Sequence, residues 1–90
     1  MGQILIKGNR EFIIRTNEAL NLLKERDYLS YKVIIKNIEV IHQSNKTYFD
    51  PFLNNKTAFI TLSSDITWHA SQILHEAYHS KLYNNAISEN

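Results

Sequence analysis

The stretch "ILHEAYHS" (residues 73–80) decides how the rest of the sequence is interpreted, because it contains His75, Glu76 and His79 in the order H-E-x-x-H. An α-helix turns by about 100° per residue, so residues four positions apart lie about 40° apart on one face, one turn from each other. Both imidazoles can therefore point at a single ion if this stretch is helical. The pattern predicts a metal site built on one helix.

The longer run "TWHASQILHEAYHSKLY" (residues 67–83) contains no glycine or proline and predicts a long helix. Asn84 and Asn85 predict its end, because asparagine tolerates the left-handed conformation found after helices. The candidate N-caps are Ser63, Ser64, Asp65 and Thr67. The apolar residues roughly opposite the histidines, which we expect to pack on a sheet, are Ala70, Ile73, Leu74 and Ala77.

Periodic apolar residues predict the other elements upstream of this helix. The expected elements are a strand from about Gln3 to Lys7, a helix from Arg10 to about Asp27, a short helix from about Tyr28 to Asn37, a strand over roughly Glu39 to Gln43, and a strand within residues 57–62. Their order predicts an α+β fold. An N-terminal helix and a small mixed sheet of three or four strands would pack against the C-terminal helix that carries the motif.

Composition limits the classes of function. Ninety residues with 43% apolar content fit one domain spanning residues 1–90, because so short a chain cannot enclose two cores. The net charge is +1 and the basic residues form no block, which argues against binding to nucleic acid or to an anionic membrane. Cysteine is absent, so His, Asp and Glu are the strong metal ligands that remain. The three-residue apolar run before Lys7 is too short for a signal peptide or a membrane span, and the compartment stays open.

With an apolar strand, a short loop and an H-E-x-x-H helix in succession, the chain resembles the zincin metallopeptidases over about residues 57–83. "TAFITL" (residues 57–62) is similar to the strand that forms the sheet edge along the substrate cleft in that family, and "SQILHEAYHS" (residues 71–80) is similar to the active-site helix. The resemblance implies a zincin-like fold in which His75 and His79 bind zinc and Glu76 is the general base and acid. The implied substrate is a peptide or protein that adds as a strand near residues 57–62.

A catalytic zinc site needs a third protein ligand, and here the sequence departs from the family's patterns. A metzincin would carry Gly and then a third ligand three and six residues after His79, where this chain has Leu82 and Asn85. A gluzincin would take its third ligand from a later helix, but the chain stops eleven residues beyond His79. Glu89 is the remaining downstream carboxylate, and it reaches the metal only if the chain reverses at Asn84 and Asn85.

Other sources of the third ligand stay open. Either a water, a partner or a missing C-terminal segment completes the site, or the site is incomplete and the fold is only zincin-like. A fragment of a longer protein, such as a bacterial toxin or effector with a small metallopeptidase module, would explain the abrupt end. Upstream, Asp65 is better interpreted as a helix cap, His69 points about 120° away from His75, and His42 is interpreted as structural. Tyr83 lies on the face of the histidines, where its hydroxyl could stabilise an oxyanion.

The leading hypothesis is a zinc-dependent metallopeptidase-like hydrolase that cleaves peptide bonds. The alternative is a noncatalytic zincin-like module that binds a protein partner through its sheet edge or its aromatic surface. Trp68 and Tyr83 are candidates for the walls of a substrate pocket under the first hypothesis, but aromatic residues at helical spacing more often belong to the core, and that is the favoured interpretation. Substitution of Glu76 separates the two hypotheses, because only hydrolysis requires its carboxylate.

Overall fold

The computed structural model describes residues 4–45, 48–49 and 56–88, with side chains described for residues 4–45 and 56–82. The elements in chain order are β1 (Leu5–Lys7), α1 (Arg10–Arg26), α2 (Tyr28–Asn37), β2 (Val40–Gln43), β3 (Tyr48–Phe49), β4 (Thr57–Ile60) and α3 (Ile66–Ser88). The predicted α+β class is confirmed. The division of the ambiguous segment after α1 into a short helix and a strand is also confirmed.

Local hydrogen bonds explain why α1 and α2 are separate helices. The Asn9 side chain accepts a hydrogen bond from the Phe12 backbone N–H at 2.8 Å and begins α1. Asp27 ends α1 and begins α2, because its backbone N–H donates to the Leu23 carbonyl at 2.7 Å while its carboxylate accepts from the Ser30 backbone at 3.2 Å. The hydrogen bonds from Ser30 also lower the pKa of the Asp27 carboxyl.

The four strands form one mixed sheet in the order β1-β2-β4-β3. β1, β2 and β4 are parallel, and β3 is antiparallel to β4. The mixed sheet was predicted, but the expectation that residues 57–62 form the sheet edge is wrong. β4 lies between β2 and β3, because a two-residue strand from the polar, turn-rich segment before β4 pairs along its outer side.

The core lies between one face of the sheet and the helices. The register places Ile6, Ile41 and Ala58 side by side on this face, while Leu5 and His42 on the other face are exposed. The buried apolar side chains are Phe12, Ala19, Ile34, Ile38, Ile41, Ala58, Ile60, Ala70, Ile73 and Ala77. The predicted apolar face of the motif helix is therefore confirmed.

The motif helix is longer than predicted. α3 continues through Asn84 and Asn85 to Ser88, so the prediction that it ends at these asparagines is wrong. Asparagine lowers helix stability only modestly in a helix interior, and no glycine or proline follows to stop the helix. The chain therefore does not reverse at Asn84, which was the condition for Glu89 to reach the histidines, and Glu89 itself lies outside the described residues. Across the described part of the chain, no helix is both long enough and apolar enough to cross a bilayer.

Candidate metal centre

The start of α3 is fixed by Asp65. Its Oδ1 accepts hydrogen bonds from the backbone N–H groups of Thr67 at 2.9 Å and Trp68 at 3.2 Å. These are donors that the first turn of a helix leaves without an intrahelical partner. Asp65 is thus the helix cap that the sequence indicated, and it does not join the group of metal-ligating side chains on α3.

α3 brings His75 and His79 together on its exposed side. Their Nε2 atoms lie 2.9 Å apart, and their ring centroids lie 4.5 Å apart with the rings inclined at 72°. Both rings are exposed. This distance is that of a hydrogen bond, in which one ring donates its N–H to the other. A divalent metal ion that takes the place of this proton would bind both nitrogens, because the neutral imidazole is a common zinc ligand.

Glu76 is next to His75 in the sequence, but its side chain is buried, whereas those of the two histidines are exposed. Ligand atoms of the three side chains all lie within 4.8 Å of one another, and Glu76 is only 3% exposed. Its Oε1 has no hydrogen-bond partner among the described residues. Burial raises the pKa of the Glu76 carboxyl, while the positive charges of His79 and His75 act in the opposite direction.

A pocket of about 390 Å³ opens beside His75. Its described lining consists of Trp68, Ser71, Gln72 and His75, and Trp68 is 61% exposed. The Gln72 Nε2 donates to the Thr61 carbonyl at 3.2 Å, so this wall is tied to the segment that follows β4. Ser71 was not identified from the sequence, although its spacing from His75 places it on the same face.

The other histidines lie away from this site. His69 is fully buried and hydrogen-bonds with Thr16, and His42 is exposed on β2, where its Nδ1 donates to the Gln43 carbonyl at 2.8 Å. Tyr83 lies within α3, but its side chain is outside the described part of the chain. Glu89 is also outside it. Within the described ranges, the group of side chains that could hold a metal ion therefore consists of His75, Glu76 and His79.

The residues present fit a zinc ion in two respects. Two imidazole nitrogens are ligands that zinc accepts, and the carboxyl of Glu76 lies beside them, where it can act on a zinc-bound water. In addition, one buried oxygen of the Glu76 carboxyl has no hydrogen-bond partner among the described residues, and that carboxyl lies within 4.8 Å of the nitrogen pair, where a bound water or ion could provide a partner. Apart from Glu76, no His, Asp or Glu in the part of the chain that the structure describes joins His75 and His79 as a candidate third ligand.

The support for a function comes from the position of the H-E-x-x-H motif in the fold and not from similarity to a known protein. The helix that bears the motif packs on α1 and α2 as well as on β4 and β3, and its two histidines are exposed. Comparisons of the chain with models of protein families, with curated proteins and with solved structures each gave no match.

Proposed function

We propose that this protein is a zinc-dependent metallopeptidase-like hydrolase with a zincin-like site on α3. The observation that carries the proposal is the convergence of the His75 and His79 Nε2 atoms, 2.9 Å apart, beside the buried carboxyl of Glu76. A nitrogen pair for the metal and an adjacent carboxylate for the proton are the two parts that metal-assisted hydrolysis needs.

In this proposal, His75 and His79 hold the zinc. Bound there, zinc would act as a Lewis acid toward the attacking water and the scissile carbonyl. Glu76 takes a proton from the water as the water oxygen bonds to the carbonyl carbon. It returns that proton to the amine nitrogen as the C–N bond breaks. The raised pKa of Glu76 suits this exchange, because a base works best when its pKa approaches the working pH. Tyr83, on the same helix, is the proposed stabiliser of the oxyanion.

The substrate would be a peptide or a protein segment in extended form. Among the residues that the structure describes, β3 pairs with β4 alone, so its other side is a sheet edge close to α3, and a peptide can add there through backbone hydrogen bonds. This replaces β4 as the docking strand. The pocket beside His75 would then receive one substrate side chain against the ring of Trp68.

Zinc stoichiometry and affinity test the metal site. We expect one zinc per chain in the wild type, and a loss of affinity of at least about 100-fold in His75→Ala and in His79→Ala, because each removes one of two converging ligands. His42→Ala is the matched control, since it removes an exposed histidine outside the group. Weak binding that none of these variants changes would overturn the proposal.

Glu76→Gln tests the chemistry separately from the metal. The amide keeps the shape of the side chain but cannot take the proton, so we expect retained zinc binding and turnover of a fluorogenic peptide library reduced by about 10²–10⁴-fold. The assay compares the zinc-loaded variant with the zinc-loaded wild type. Equal cleavage by both proteins would remove Glu76 from the mechanism.

The second candidate function is a noncatalytic module that binds a protein partner. It is favoured by three large side chains that α3 leaves exposed, Trp68 at 61%, Tyr78 at 43% and Leu82 at 67%. Exposed residues of this kind near one site are typical of a binding surface. A partner on this surface could also contribute the further zinc ligand. Biological activity that Glu76→Gln leaves unchanged would favour this function over hydrolysis.

A further inference from the structure

His69 is a buried histidine that the proposed chemistry does not use. It lies on α3 and is 0% exposed, as is Thr16 on α1. Its Nε2 lies 2.9 Å from Thr16 Oγ1, and its Nδ1 lies 3.3 Å from the backbone nitrogen of Ser63. The ring also meets Phe12 edge-on, with centroids 5.4 Å apart. One imidazole thus joins α1, α3 and the connection between β4 and α3.

These contacts determine where the proton of His69 sits. A backbone N–H only donates, so the Ser63 N–H requires His69 Nδ1 to be the acceptor and therefore unprotonated. The proton of the neutral ring is then on Nε2, which donates to Thr16 Oγ1. A second proton on Nδ1 would face the Ser63 N–H, leaving two donors opposed in a buried space.

The connection that His69 holds, residues 61–65, also forms part of the candidate site. The Thr61 carbonyl accepts from Gln72, which lines the pocket beside His75. The Arg15 Nη1 donates to the Ser64 carbonyl at 2.8 Å. The bond to His69 lies between these two attachments, so loss of it would loosen the segment to which the pocket wall is tied.

We infer that His69 is a positioning residue for the candidate site: in its neutral Nε2–H form it holds residues 61–65 against α3 and fixes Gln72 beside His75, and its protonation releases this segment. The effect of His69 on hydrolysis rests on the function proposed above. The effect of His69 on the geometry of the pocket does not depend on zinc.

The surroundings of His69 place the release at acidic pH. Burial lowers the pKa of His69, and the positive charge of Arg15 on α1 lowers it further. The charged residue of the connection is Asp65, which is exposed and whose carboxylate is engaged by the first turn of α3. Neutral His69 is therefore the form expected at physiological pH, and release is expected below the ordinary pKa of histidine, about 6.5.

Nuclear magnetic resonance of the metal-free, ¹⁵N-labelled full chain tests this inference. We would follow the His69 ring nitrogens, the Ser63 amide and the Gln72 side-chain amide from about pH 8 to about pH 5. We expect His69 as the Nε2–H tautomer at the upper end, and the Ser63 and Gln72 signals to shift with the midpoint of His69. His69→Gln can donate and accept in the same directions but cannot titrate in this range, so the shared transition should be lost while the fold is kept.

The control is His42→Gln, which removes an exposed histidine on β2 and should leave the transition intact. A Ser63 or Gln72 signal that does not follow His69, or a transition that persists in His69→Gln, would overturn the inference. If His69→Gln does not fold, the wild-type titration alone still tests the inference, because it shows whether the Ser63 and Gln72 signals follow the titration of His69. Zinc binding without this coupled transition contradicts the inference alone, and a coupled transition without zinc binding contradicts the proposed function alone.

Discussion

At the scale of single residues, Glu76 combines an unfavourable environment with a suitable position for chemistry. Its carboxyl is buried, one oxygen has no hydrogen-bond partner among the described residues, and the compensating charges are the two histidines beside it. A group of this kind destabilises the metal-free fold when it is ionised. Such strain is typical of a residue retained for function rather than for stability.

Glu76→Gln should stabilise the metal-free protein at neutral pH. Because the folded-state pKa is raised, the contribution of Glu76 to stability is present below the ordinary value of about 4.5 and is lost as pH rises through the raised pKa. The neutral amide avoids this loss, and we expect a gain of about 0.5–2 kcal/mol in the free energy of unfolding, measured by denaturant titration with a chelator. Glu25→Gln, at an exposed position of α1, is the control. A less stable Glu76→Gln would mean that attraction to the histidines outweighs burial.

Gly8 is required by space at the turn from β1 to α1. A Cβ there would lie 2.6 Å from the Phe12 ring and 2.8 Å from Gln43 Cβ. The Gln43 Oε1 also accepts from the Asn9 N–H at 2.8 Å, which limits how far that side chain can move. We expect Gly8→Ala to lower the free energy of unfolding by about 1–3 kcal/mol. Lys7→Ala, exposed at the neighbouring position, should have little effect in the same denaturant titration.

At the scale of elements, α3 divides its surface between the core and the candidate site. One side buries Ala70, Ile73 and Ala77 against the core, and the other side exposes His75 and His79. Because packing holds the buried side, it also sets the direction in which the helix presents the two histidines. The helix is therefore a rigid support for the two histidines, and the Asp65 side chain caps its start.

Asp65→Ala should destabilise the start of α3 without removing the metal site. It deletes the acceptor for the Thr67 and Trp68 N–H groups, and loss of such a cap typically lowers stability by about 1 kcal/mol. Asp65→Asn keeps an oxygen acceptor and should retain most of the stability. Zinc affinity should be unchanged in both, because His75 lies more than two turns further along the helix. A large loss of zinc affinity in Asp65→Ala would show that the cap reaches the ligands.

At the scale of the whole molecule, two buried titratable groups make stability depend on pH in opposite directions. The pKa of His69 is lowered, so its contribution is present above about 6.5 and is lost as pH falls toward the lowered value. The pKa of Glu76 is raised, so its contribution increases as pH falls toward 4.5. The free energy of unfolding is therefore expected to change between neutral pH and mildly acidic pH.

Denaturant titrations over a range of pH at constant ionic strength separate the two groups. We expect His69→Gln to flatten the loss of stability below about pH 6.5, by at most about 1.4 kcal/mol per pH unit for one proton. Glu76→Gln should steepen the same loss, since it removes the opposing contribution. His42→Gln should follow the wild-type curve. If His69→Gln follows that curve as well, the buried histidine is not the group that couples stability to pH.

Local pattern in the sequence was sufficient for much of the fold and for the central part of the site. Apolar periodicity located α1 and α2, and the i, i+4 spacing placed His75 and His79 on one face. The expected cap at Asp65 is also present. These features depend on residues within about one or two turns of each other, so the order of side chains along the chain determines them.

Only the tertiary structure decided four other features. These are the sheet order, the edge strand β3, the burial of Glu76 and the hydrogen bond between Thr16 and His69. Thr16 and His69 are 53 positions apart, and no periodic pattern links them. The unexpected continuation of α3 beyond Asn84 belongs to the same class, because asparagine permits either outcome. The sequence by itself determined which residues share a face. Packing determined the order of the strands, the burial of polar groups such as Glu76, and which distant groups meet, because these depend on how all the elements fit together.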